Sequence, residues 1–165
     1  MPAWMLPTAY WLHMAATVIW IGGLVFQAVV LFPLLETALD APTRARLLES
    51  VRRRFEPLAW LSLAVLVATG LTQMAAHPLY QGVLVIQNQW SAAILAKHVA
   101  VGAMVLLSAY QTWGLHPQLS RQALLEARGI TGERGPWMRR QRLLSRASLA
   151  LGLLVLALTA LARTA

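Results

Sequence analysis

No charged side chain occurs in the first 35 residues of this chain, and none occurs between Glu56 and Lys97. A helix of a water-soluble domain needs a polar face. Uncharged stretches this long are instead what a bilayer asks for, since about 20 apolar residues cover a hydrocarbon core of roughly 30 Å. The first stretch supplies one span, at about 10–35. The second is too long for one helix and is interrupted by His77, Pro78 and Gly82, then by polar Gln87, Asn88 and Gln89, so it yields spans at about 57–76 and 90–115. A last apolar run, Ala147 to Ala162, has only 16 residues. That is about 24 Å of helix, so this span is expected to begin a turn earlier, giving about 143–162 with Arg146 snorkelling to the interface. The expected fold is all-α: an integral membrane four-helix bundle forming a single domain over residues 1–165.

The basic residues orient it. Arg44, Arg46, Arg52, Arg53 and Arg54 separate spans one and two, and Arg121, Arg128, Arg134, Arg139, Arg140, Arg142 and Arg146 separate spans three and four. Those two loops hold twelve of the fourteen Lys and Arg residues, and the middle loop holds none. By the positive-inside rule both termini and the middle loop face the outer, periplasmic side of a bacterial inner (cytoplasmic) membrane. Trp4, Trp11 and Trp90 are expected in an outer aromatic belt, Trp60 and Trp113 in an inner one. The first span lacks the positive n-region of a signal peptide and reads as retained. Asp40 and Pro42 signal a helix start, with Leu47, Leu48, Val51 and Phe55 as the apolar stripe of an interfacial helix leading into span two. Gly129, Gly132, Gly135 and Pro136 mark a turn in the second basic loop.

Composition removes several function classes. Charged residues make up 12% of the chain, against about 25% in soluble domains. There is no cysteine, so a metal would need His, Met or oxygen ligands. The net charge of +8 sits in the two loops and reads as topology and lipid anchoring, not nucleic-acid binding. No span carries Asp or Glu for proton-coupled transport, and neither a phosphate-binding glycine loop nor a Ser/His/Asp set is present.

What remains inside the spans is His13, Lys97 and His98. Intramembrane ionisable groups are costly and mark function by default. Spans one and three both enter from the outer side, and His13 and His98 fall in the same outer third, within about a turn of each other. Two imidazoles at one depth suit bis-His ligation of a b-type haem. Thr17, Gly22 and Gly23 after His13, and Gly102 one turn after His98, offer small side chains for a flat macrocycle, and Lys97 is placed to meet a propionate. Copper competes for the same positions, with Met14 and His77 joining His13 and His98 as ligands. In the third reading the histidines only hydrogen-bond locally, and the chain is a cofactor-free structural subunit of a larger complex.

Span one, WLHMAATVIWIGGLVFQAVVLFPLL, has a His one turn in, then Trp-hydrophobic-Gly-Gly, and a Pro near its inner end. Span three, LAKHVAVGAMVLLSAYQTWGLHPQL, has Lys-His and closes on Pro-x-Leu. With Thr69-Gly70 in span two, these segments resemble the CopD-like (copper resistance protein D) membrane superfamily over most of residues 11–119. The layout is also similar to the HemJ family of haem-containing protoporphyrinogen oxidases. The first resemblance implies a four-helix unit linked to copper uptake or resistance. The second implies haem, with His13 and Lys97 important for activity. The chain departs from the HemJ pattern at Pro33, followed by Leu34 and Leu35 where that family has Pro-Arg-Leu. The expectation taken forward is a haem b-binding electron-transfer protein or redox accessory subunit. His13 and His98 are its ligands, and its partners are lipid and a respiratory or photosynthetic complex or a second copy of the chain.

Overall fold

The computed structural model describes residues 2–82, 85–127 and 134–164. Its elements are α1 (Met5–Val25), a first π-helical segment (Phe26–Leu31), α2 (Phe32–Ala38), α3 (Ala41–Ala75), α4 (Gln89–Ala109), a second π-helical segment (Tyr110–Leu115), α5 (His116–Ala127) and α6 (Arg134–Thr164). Four of the resulting rods are long and apolar enough to cross a membrane: Met5–Leu35, Arg46–Ala75, Gln89–Gln122 and Gly135–Arg163. Each reaches beyond the boundaries expected from hydropathy alone.

The prolines explain part of that difference. Pro33 has no N–H for the carbonyl four residues back, and its ring crowds that carbonyl. The backbone widens ahead of it, and the Phe32 N–H bonds the Gln27 carbonyl five residues back. Pro117 does the same, with the His116 N–H on the Gln111 carbonyl. Instead of ending span three at Leu115, the proline is absorbed and the rod continues to Gln122. On the basic side, Asp40 takes extended backbone geometry at the start of α3, with Pro in its first turn, as its sequence signals. The expected interfacial helix is not separate from span two. It is the first part of one 35-residue helix that passes through Pro57. Its charged portion is braced by Glu49 accepting from Arg52 at 2.7 Å and from Arg53 at 2.8 Å, pairs three and four residues apart on one face.

The middle connection follows its sequence. The α3 helix stops at Ala75, Gly82 takes a φ of +134° that suits glycine, and Asn88 opens α4 with a capping box in which Ser91 N–H donates to Asn88 Oδ1 at 2.8 Å. Of the second basic loop, residues 128–133 lie outside the described residues, Gly129 and Gly132 among them, while Gly135 and Pro136 sit in the first turn of α6.

The most extensive helix pairings are α1 with α3 and α4 with α6. Contacts along them run in opposite senses: Gln73 reaches the Ala9 carbonyl, His13 meets Thr69, and Phe55 lies on Gly23. Likewise Gln111 bonds Ser148, and Met104 approaches Gly152. Both pairs are therefore antiparallel hairpins. They meet at mid-height, where Trp20, Leu63 and Met104 form a core flanked by Leu24, Leu66, Leu151 and Val155. Outward faces such as Val18, Ile19, Val29, Val99, Leu106 and Leu153 are apolar and exposed, as a lipid-facing surface requires. Trp4, Trp11 and Trp113 are exposed in keeping with belts, and Trp113 also stacks on Trp60 at 5.3 Å. Trp90 departs from that expectation: it is buried and stacks on His77 at 4.2 Å, closing the end of the bundle instead of anchoring in lipid headgroups.

Candidate functional site

In the half of the bundle that carries the termini, polar side chains lie along the α1–α3 interface and on α4. The His13 Nδ1 lies 2.8 Å from Thr69 Oγ1 across the α1–α3 interface. Thr69 gives its own hydrogen to the Val65 carbonyl at 2.6 Å, so toward the ring its oxygen can only accept. His13 therefore carries its proton on Nδ1, and in the neutral ring the lone pair is on Nε2. The ring also lies over Gly70, where a Cβ would stand 3.5 Å from His13 Cε1, in ordinary van der Waals contact. A turn above, Gln73 Nε2 donates to the Ala9 carbonyl at 3.3 Å and closes the same interface. Thr17 hydrogen-bonds back to the His13 carbonyl at 2.7 Å, so its hydroxyl hydrogen is used on its own helix.

On α4 the same logic applies to His98. Its Nδ1 is 2.7 Å from the Ile94 carbonyl, which has no hydrogen to give, so Nδ1–H donates and Nε2 is again the basic nitrogen. Lys97 beside it is half-buried and lies within electrostatic range of both His13 and Arg163. The described acidic side chains Asp40, Glu49 and Glu56 all lie at the start or in the first part of α3, toward the other end. Among the described residues Lys97 thus has no Asp or Glu partner in its own half, and a half-buried ammonium there is suited to an anionic group supplied from outside the spans.

The expected site residues are brought together in part. His13 meets Thr69 and Gly70, with Lys97 within electrostatic range, but the ring is held by α3, and among the described residues no contact joins it to that of His98. Gly102 leaves open space, yet it lies on the outward stripe between Val99 and Leu106, which are 66% and 73% exposed, so the opening faces lipid. Met14 is 57% exposed on the outer surface. His77 sits in the middle loop on Trp90, and its Nδ1 accepts from the Leu79 N–H at 3.3 Å. In that tautomer its other nitrogen is a donor, not a ligand. Among the described residues, no three His, Cys, Asp or Glu side chains form a metal-binding group. Reading the chain for ionisable residues missed Gln73 and Arg163 and the role of Thr69; the signal that could have found them is a polar residue on a helix face otherwise lined with Ala and Gly.

The family model for copper resistance protein D matches residues 49–162. The chain belongs to the CopD family. The matched segment of this CopD-family protein covers spans two to four, and so Thr69, Gly70, His77, Lys97, His98 and Gly102, while His13, Met14 and Thr17 precede it. Neither a curated protein nor a solved structure matches the chain.

Proposed function

We propose that this CopD-family membrane protein holds a b-type haem in the termini-bearing half of its bundle and serves in electron transfer, as a carrier or as a redox subunit of a larger membrane complex in the inner membrane. The observation that carries the reading is the shared tautomer. His13 and His98 each commit Nδ1–H to an oxygen acceptor, the arrangement that orients a metal-binding imidazole and raises the basicity of Nε2. The residues fit the group by the chemistry of their donors: His13 and His98 would ligate iron, and Lys97, with Arg163 nearby, would meet propionates where the described residues place no Asp or Glu. A bound haem would supply one-electron chemistry. The chain's own part is to fix the rings through Thr69 and Ile94 and to surround them with lipid-facing apolar residues that exclude water.

The test is the spectrum of the detergent-purified protein, oxidised and dithionite-reduced, with metal analysis of the same sample. A Soret band lost in His13→Ala and His98→Ala supports the reading, and one unchanged in both variants overturns it. The family match favours a second reading, copper handling. It predicts a colourless protein that retains copper and loses it with His13→Ala. Against it stand the outward position of Met14 and the committed Nδ1 of His77. A protein with neither pigment nor metal that co-purifies with a larger complex would be a structural subunit.

A further inference from the structure

A shift of 84 positions carries the first half of the molecule onto the second. It takes Met5, where α1 begins, to Gln89, where α4 begins, and it takes Val25 to Ala109, where they end. The π-helical segment Phe26–Leu31 falls on Tyr110–Leu115, and Phe32 falls on His116, the first residues of α2 and α5. Under the same shift Ala9 meets Ala93, Ala16 meets Ala100, Gln27 meets Gln111, Leu31 meets Leu115, Pro33 meets Pro117 and Leu35 meets Leu119. Burial follows the register. Ala9, Ala16, Trp20 and Leu31 are buried in the first half, and Ala93, Ala100, Met104 and Leu115 in the second. A shift of 86 carries Ser62-Leu63-Ala64 of α3 onto Ser148-Leu149-Ala150 of α6, and both serines are buried.

Alanine and leucine coincide often in apolar helices, so these identities alone would mean little. A six-residue π-helical segment at one fixed distance before a proline, with the same five-residue backbone bond onto a glutamine, is not a product of composition. Each half also pairs its helices the same way, α1 on α3 and α4 on α6.

We infer that the chain is two copies of one helical hairpin, joined in tandem, and that each copy's partner surface is the equivalent face of the other. Parallel repeats of this kind are related by a pseudo-twofold axis along the membrane normal, with binding sites at the repeat interface. Trp20 and Met104, equivalent by the shift, fall in one core cluster and mark the axis at mid-height. His13 and Lys97 are equivalent as well, so the polar site is bounded by one ionisable group from each copy. The inference rests on the fold and is independent of which cofactor is bound.

The docking of two equivalent hairpins makes their order in the chain interchangeable. A circular permutant that joins Ala165 to Met1 through a linker about as long as residues 76–88, with new ends within residues 82–85, keeps every residue and reverses that order. Expected is insertion with unchanged helical circular dichroism and a melting temperature within a few degrees of the parent. A permutant that neither inserts nor melts cooperatively overturns the inference. An independent check on the unpermuted chain exchanges the axial pair. Trp20→Met and Met104→Trp each lower the melting temperature, and the double variant is expected to regain at least half of the summed loss. A double variant that loses the full sum overturns the equivalence.

Discussion

Thr69 decides which nitrogen of His13 can act, because its hydroxyl hydrogen is already spent on Val65. Thr69→Val keeps the shape and removes the acceptor. The variant is expected to lower affinity for whatever Nε2 binds by about 10–100-fold, read by titrating haem or copper into the stripped protein, while Thr69→Ser holds the parent value. Equal affinity in the valine variant would show that the bond has no part in binding. A second contrast concerns neighbouring glycines. A Cβ at Gly23 would overlap the Phe55 ring, whereas one at Gly22 would meet nothing within 4 Å. Gly23→Ala is therefore expected to cost about 1–3 kcal/mol in denaturant unfolding in detergent, and Gly22→Ala close to nothing. Since alanine is the better helix former, a propensity effect would raise stability at both positions, and equal outcomes for the two variants would show that the fit of Gly23 against Phe55 carries no weight.

At the scale of elements, the two widened segments set which faces their helices present. Pro117→Ala restores an N–H and lets residues 110–115 tighten into α-helix, turning one side of the segment against the other by about 100°. Leu115, at 0% exposure, and Gln111, bonded to Ser148, cannot then both keep their places. Loss of the Trp60–Trp113 stack, seen as a changed near-ultraviolet circular dichroism spectrum, is the expected result, with a lower melting temperature. This element level is also where the sequence was least legible. The four spans and the break at His77 could be read directly, because transfer into lipid is summed over some 20 side chains and tolerates local errors. The Asp40 start was plain from capping chemistry, whereas Asn88 could be read only as part of a polar break and its capping box with Ser91 emerged from the structure. The passage of helices through Pro57 and Pro117 was not legible, since a proline's effect depends on whether the surrounding helix can accommodate it. Depth along a span can be counted, but the choice of lateral neighbour cannot. That is why His13 was matched to His98 by level while its hydrogen bond runs to Thr69.

For the molecule as a whole, the positive-inside rule applied to the arginines predicts both termini and the 76–88 connection on the outer face. The natural chain has no cysteine, so single cysteines can report this cleanly. At Ala3 and Gln81 they are expected to react with a membrane-impermeant maleimide in intact spheroplasts, and at Ser50 only after lysis; the opposite pattern would invert the topology. Thr69, which meets His13, is 15 residues along α3 from Arg54, so the nearest arginine of that helix stands about 22 Å from the His13 level. A protein docking on those arginines would be too remote to exchange electrons directly with a centre at His13. Any redox partner on that side would need a relay of its own, and the direct route to the proposed centre would open toward the compartment that holds the termini.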